Sequence, residues 1–407
     1  MVAKTASWSR DSAIESVRSH LWAHVSPVST REGSGVLTAG ALLGWPADEA
    51  LKIGEIQFLL SFEIAALAAD LPRLVRSLNS TSYREEDITE ERLNGSINWG
   101  RTYAARHSGG NPRLYAVSSV DRTFQTPENE VLAHLLDEIV RVSHSTGWTK
   151  AKPKYEPVTT VQKQLEDAEM WRSHQSIQGI VRSAPDPGSV NALSRGRLRQ
   201  NYVAVFEAYR CWNLLVRQGD LEAIRQAIEK TGLVSAHDST LFQLTTLFRI
   251  IGFFQAAGWS LPPLNVFNGH VQTVARHPDG RSVQILYQPT LTSLGVASSK
   301  YVEILKKHRI GNVYDLIPDL ALKWTSPEGE RILLVECKLG YETPATALRA
   351  ALKDLLAYRE ALRGAALAQG AYGLGVTWGP ATPVPRTSDV LLSTQESLTA
   401  ALTQIFP

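Results

Sequence analysis

Asp319, Glu336 and Lys338 are the residues of this chain whose types and spacing could do chemistry. They lie in PDLALKWTSPEGERILLVECK (318–338), two short apolar runs about a turn. SPEG (326–329) is the natural turn, with Pro327 at its second position and Gly329 at its fourth. Folded as a hairpin about that turn, Thr325 faces Glu330, Trp324 faces Arg331 and, carried outward, Asp319 faces Glu336. Side chains alternate between the faces of a strand, so Lys338 points to the side of Glu336 and Cys337 points away. Directly opposed residues have Cβ atoms about 4.5–5.5 Å apart, a separation at which two lone carboxylates repel. A hard divalent cation relieves that repulsion: Mg2+ takes carboxylate oxygens at about 2.0–2.1 Å and keeps several waters. The ion's charge lowers the pKa of a bound water, and a neighbouring lysine can orient or deprotonate that water. Two carboxylates, a lysine and open metal positions make a centre for phosphodiester hydrolysis, with Mg2+ or Mn2+ as cofactor. The plain alternative is a strand start near solvent and a surface ion pair at a strand end. Against it, LLVECKLG (333–340) is a continuous apolar run into the charged tripeptide, the mark of a strand buried on both faces. Burying unpaired charge is costly, and function is the usual reason to accept it.

Such a centre needs a sheet and helices to hold it. NGHVQTVARHPDGRSVQILYQP (268–289) reads as two strands about a Pro-Asp-Gly turn, and 318–338 supplies two more. Before them, a helix capped by Asp238 runs through TLFQLTTLFRIIGFFQAAG to Gly258. After them, ATALRAALKDLLAYREALR (345–363) has amphipathic helical spacing and GAYGLGVTW (370–378) reads as a last strand. The C-terminal half is therefore helix, four strands, helix, strand, an α/β arrangement. The N-terminal region is mainly helical, over 11–24, 55–78 and 122–144, the last with Thr126 as N-cap and Pro127 as first helical residue. The polar, aromatic text at 93–119 fits short strands or an extended loop, TKAKPKYEP (149–157) a linker, and the breaker-rich 182–200 a loop. The helical stretch 201–219 is apolar nearly all round. These shifts divide the chain into a target- or partner-binding domain (1–150), a helical linker region (151–200) and a catalytic domain (201–407).

Pro318-Asp319 followed by Glu336-Cys337-Lys338, within that order of elements, resembles the PD-(D/E)XK nuclease superfamily over about residues 239–380. The resemblance implies a mixed sheet flanked by helices and a divalent metal at the acids. Some branches carry a glutamine four residues before a tyrosine in the following helix; here Asp354 stands four before Tyr358. The superfamily often adds a glutamate on the helix before the first core strand, where this chain has Gln243; Glu207, near Arg210, is the substitute candidate. Upstream, GSINWGRT (95–102), RTFQTPEN (122–129) and YDLIPDL (314–320) resemble McrC-like restriction nucleases of phage-defence operons. That resemblance implies a partner NTPase or target sensor.

The rest of the sequence narrows the classes. At 407 residues and a formal net charge of +2, two or three domains are expected, and bulk charge does not point to nucleic acid. DNA, the expected substrate, must be met by local patches: Lys306, Lys307 and Arg309 before the Asp319 strand, and Arg195 and Arg197 in the 182–200 loop. Cys211 and Cys337 lack metal-ligand spacing and read as buried free thiols, in keeping with a reducing cytosol. Histidines show no HxH or HExxH spacing, and no GxxxxGK[ST] loop is present. Trp99, Trp324 and Trp378 read as packing residues. Without an apolar leader or an uninterrupted membrane-length segment, the expectation is a cytoplasmic, metal-dependent DNA endonuclease without a membrane partner; a homo-oligomer is one option, since a double-strand cut generally needs two such centres. The alternatives are a nuclease-fold adaptor without activity, or a nuclease directed at RNA.

Overall fold

The computed structural model describes residues 8–25, 34–45, 50–90, 93, 95–147, 156–181, 184–197, 199–267, 269–290, 292–294, 307–308, 317–327, 329–340, 343–362, 371–381 and 389–406. The fold is mixed α/β, and the chain divides into two compact units, Met1–Ile53 with Leu221–Pro407, and Gly54–Asp220. These bounds differ from the breaks at 150 and 200 read from composition. The physical reason lies at the N-terminus. Helix α1 (Arg10–His24) packs along α2 (Asp238–Ala256). Arg10 pairs with Asp238 and donates to the carbonyls of Val234 and Ala236 at 2.6 and 2.7 Å. Leu264 N–H donates to His24 O at 2.6 Å. The first helix thus belongs to the C-terminal core.

In the Gly54–Asp220 unit, β1 (Thr81–Thr89), β2 (Ser96–Ile97) and β3 (Tyr115–Thr123) form an antiparallel sheet in the order β1-β3-β2. Where the sequence suggested only extended text, Trp99–Gly109 is a helix, started by Asn98, whose side chain accepts from Arg101 N–H. Pro187–Arg195 is likewise helical, capped by Asp186. Helix Pro127–Ser145 starts where expected, after Thr126. Two residues of the stretches 95–102 and 122–129 have structural duties here. Gly95 sits at φ +113°, where an added Cβ would meet Ser118 O at 2.3 Å. Buried Asn129 donates to Asn79 O and Phe124 O, both at 2.8 Å, and accepts from Tyr202 OH at 2.6 Å.

The other unit is built on a seven-stranded sheet: β4 (Asn265–Phe267), β5 (His270–Arg276), β6 (Ser282–Tyr287), β7 (Leu320–Ser326), β8 (Gly329–Lys338), β9 (Ala371–Thr377) and β10 (Val390–Thr394), in the order β10-β9-β8-β7-β6-β5-β4. Strands β4 to β8 are antiparallel neighbours, while β9 and β10 run parallel to β8. The β7–β8 register pairs Thr325 with Glu330 and Trp324 with Arg331, as the turn requires. A parallel return from β8 to β9 needs a crossover, and α3 (Pro344–Leu362) lies in it. Strands β4 and β10, and helix α4 (Leu398–Ile405), extend the arrangement beyond the sequence reading.

Each face of this sheet has its own cover. On α3 the buried residues Ala347, Ala351, Leu355, Tyr358 and Leu362 recur at helical spacing. Leu355, Tyr358 and Leu362 pack with Ala321, Ile332, Leu334 and Ala371. Toward α4, Trp324 meets Phe406 and Phe254 meets Phe406, with ring centroids 5.1 and 5.2 Å apart. Gly375 lets α3 approach β9: a Cβ there would meet Leu392 Cδ2 at 2.8 Å and Ala351 Cβ at 3.1 Å. Gly375→Ala is therefore expected to cost about 1–3 kcal/mol by overpacking, read as a lower Tm. Among the described residues, no helix is long and apolar enough to cross a membrane.

Candidate active site

The β7–β8 ladder ends at Leu320↔Val335, and one step further along it stand Asp319 and Glu336. Their side chains are gathered at the sheet rim by different elements. Asp319 Oδ2 accepts from Cys337 N–H at 2.6 Å, and its Oδ1 accepts from Gln243 Nε2 at 2.6 Å, reaching over from α2. Glu336, 4% exposed, receives Lys338 Nζ on Oε1 at 2.6 Å and Tyr358 OH on Oε2 at 3.1 Å. Lys338 Nζ also meets Asp354 Oδ2 at 2.6 Å, and Thr377 Oγ1 donates to Lys338 O at 2.9 Å, fixing its backbone to β9.

The electrostatics are those of acids confined without enough cation. Burial lifts the Asp319 carboxyl well above its ordinary value, and the Glu336 charge lifts it further against the Cys337 N–H and Lys338. Burial raises Glu336 as well, only partly offset by Lys338 and Tyr358. Burial alone would lower the Lys338 ammonium, but Glu336 and Asp354 outweigh it and hold the group above its ordinary range. Lys338 therefore stays charged at neutral pH. Burial and the neighbouring acids push the Tyr358 phenol up, so it remains a neutral donor. Both thiols are inert by the same logic: burial raises Cys337 well above the usual value and pushes Cys211 up to about 12.

Sequence and structure part company at several candidates. Gln243 joins the site as a donor to Asp319, with Oε1 accepting from Tyr287 OH at 3.1 Å and Gln288 Nε2 at 3.0 Å. In this orientation it holds the Asp319 carboxylate rather than offering an oxygen of its own. Glu207 belongs to the Gly54–Asp220 unit and pairs with Arg210 at 3.1 Å, the ordinary (i, i+3) surface pair. Lys307 is exposed, as are Arg195 and Arg197 in the Gly54–Asp220 unit; Lys306, Arg309 and Tyr314 lie outside the described residues. Trp324 is a packing residue, 8% exposed, whereas Trp99 is 52% exposed, against the packing expected of it.

Three site residues went unassigned in the sequence. Asp354 is one, and its signal was present: four residues before Tyr358, it shares that residue's helix face. Tyr287 and Gln288 could not be found that way, because the β6–β7 register that sets them beside Asp319 is fixed by tertiary pairing. Gln288 N–H donates to Asp319 O at 2.9 Å, and Gln288 is the non-glycine residue at positive φ (46°) among those described. Such a conformation costs about 1–3 kcal/mol and tends to persist at functional sites.

The donor set suits a hard divalent ion. Each ionised carboxylate offers about four acceptor positions, and the bonds above occupy two on Asp319 and two on Glu336. Among the described residues, no three His, Cys, Asp or Glu side chains are assembled to hold a metal. An ion here would rest on two carboxylates and complete its shell with water, the mode Mg2+ favours. Tyr358→Phe keeps the ring but removes donation to Glu336 and to Ile317 O, each at 3.1 Å. It is expected to lower stability by about 0.5–1.5 kcal/mol, measured by denaturant titration.

The fold and rim define a class: a mixed sheet flanked by helices with an acid–acid–lysine cluster at one end of adjacent strands. No protein-family model matches the chain, and no curated protein matches it. A solved structure, a refined half-complex from the tetradecameric assembly of Thermococcus gammatolerans McrB AAA+ hexamers with bound McrC, is similar over 97% of this chain and 76% of that one. Identity is 9% and the TM-score 0.26. A likeness that distant carries no argument, so function rests on this chain's own residues.

Proposed function

We propose that the protein is a metal-dependent endonuclease that hydrolyses DNA phosphodiester bonds. The observation that supports this reading is the pair of acids at the sheet rim, half-buried Asp319 and buried Glu336, both raised above their ordinary range, with Glu336 paired to Lys338. Asp319 and Glu336 would hold Mg2+ or Mn2+, which when bound supplies Lewis acidity at a phosphoryl oxygen and a more acidic water. Gln243 and the Cys337 N–H set the Asp319 carboxylate, and Tyr358 sets Glu336. Lys338, charged and held from the far side by Asp354, is placed to orient water and stabilise the pentavalent phosphorane charge rather than to remove a proton. The resemblance to McrC-like nucleases extends the proposal to restriction or anti-phage defence. With no triphosphate-binding loop in the sequence, movement along DNA would fall to a separate NTPase.

One observation favours a second reading, a nuclease-fold adaptor without activity: the absence of a three-residue ligand set among the described residues. Calorimetric titration of the DNA-free protein with Mn2+ separates the two. The endonuclease reading expects saturable binding in the wild type that disappears in Glu336→Gln. No binding in the wild type favours the adaptor.

A further inference from the structure

We propose that a cleft in the Gly54–Asp220 unit binds a nucleobase together with its phosphate. The cleft has a volume of about 620 Å³, within the roughly 300–1,000 Å³ of ordinary ligand sites. One wall is helix Pro187–Arg195, carrying Asn191; the other is the helix that begins at Val203, carrying Tyr209, Asn213, Arg217 and Gln218.

The second wall has an unusual build. After Trp212 the helix widens to a π-turn over Asn213–Arg217, in which Gln218 N–H donates to Asn213 O at 2.9 Å. A turn closed from i to i+5 brings the residues four and five positions on over the first. Asn213, Arg217 and Gln218 therefore share one face, with Tyr209 a turn before. A regular α-helix would swing one of them away; a second π-turn lies at Ile228–Gly232, so the widening counts here for the alignment it produces, of a kind frequent at functional sites.

The side chains so aligned have a common chemistry. Asn191, Asn213 and Gln218 each present an amide donor beside an acceptor, the pattern that pairs with base edges. Arg217 supplies a cation for phosphate. Tyr209, 6% exposed, and the lining prolines Pro185 and Pro187 give flat apolar walls for a planar ring. Among the described residues no carboxylate lines the cleft, and Asp186, between the two prolines, is turned to Ser189 N–H at 2.6 Å as a helix cap. Among the described residues, Asn191, Asn213, Arg217 and Gln218 make no side-chain hydrogen bond or ion pair. Arg195, one turn beyond Asn191 and exposed, is placed to take the next phosphate of a strand. A plain wet cleft would account for exposed amides, but not for three of them converging with Arg217 on one cleft.

A free nucleotide and one base of a strand share this chemistry, and calorimetry in EDTA tests both sources. The probes are the four deoxynucleoside monophosphates, the matching nucleosides and single-stranded homopolymers. We expect saturable binding of a monophosphate or a homopolymer. Arg217→Ala should weaken it by about tenfold, the loss of a charge-assisted hydrogen bond, and leave nucleoside binding unchanged. Asn213→Ala should change the preference among bases. Binding of homopolymers alone assigns the site to a strand; binding of monophosphates assigns it to free nucleotide. Absence of binding by every probe overturns the proposal. So does unchanged affinity in both variants with wild-type circular dichroism and Tm. Because the assay needs neither metal nor cleavage, its failure leaves the endonuclease reading untouched, and the reverse holds.

Discussion

Lys338→Ala is expected to slow phosphodiester cleavage by about 10²–10³-fold, the loss seen when one preorganised group facing transition-state charge is removed. The argument is electrostatic. Lys338 sits between Glu336 and Asp354, at 2.6 Å from each, and is held above its ordinary range, so its role is that of a fixed cation. Lys338→Arg should therefore retain more activity than Lys338→Gln, although the guanidinium fork cannot reproduce a point charge. Activity should also show no rise with pH of the kind that titration of a lysine base produces. The alanine variant leaves Glu336 and Asp354 facing each other, so its metal-free form should have a lower Tm. Cleavage by Lys338→Ala at the wild-type rate would remove the residue from the mechanism.

The second large effect is on stability. Asp319 and Glu336 have carboxyl groups raised in the folded state. Between the ordinary carboxyl value and the raised one, the native protein holds protons that the unfolded chain has released, so stability falls as pH rises through that window. In EDTA, the Tm of the wild type should thus drop as pH rises from the ordinary carboxyl range through the raised values. In Asp319→Asn the drop should be smaller, because one of the two charges is gone. The site's natural relief is a bound cation. At about a hundredfold excess over Kd, Mg2+ should add about 2.7 kcal/mol, or about 5–10 °C in Tm, and Asp319→Asn should lose that gain. A wild-type Tm that ignores both pH and Mg2+ would mean the acids are not strained by one another.

The site was largely legible because its geometry is local. The turn between Ser326 and Gly329 dictates the hairpin register, and that register ends at Leu320↔Val335, one step short of Asp319 and Glu336. What lay beyond the hairpin was harder. That β8 and β9 run parallel, that β10 continues the sheet, and that α1 packs on α2 are choices made by tertiary burial, which no single segment encodes. Asp354 was visible as a departure from a family pattern, yet its partner Lys338 is reached only once α3 is laid on the sheet. Helix Trp99–Gly109 was hidden by its composition: Trp99, Tyr103 and Arg106 carry no apolar stripe, and its N-cap Asn98 reads equally well as a turn. The π-turn at Asn213–Arg217 left no trace in a sequence pattern that simply looks helical.

The most direct test of the account is incubation of the purified protein with linear and closed-circular DNA in Mg2+, Mn2+ or EDTA, beside the Asp319→Asn variant. The account predicts cleavage by the wild type with either metal, none in EDTA, and none by the variant under any condition. Cutting that persists in EDTA, or that matches the wild type in Asp319→Asn, would contradict it.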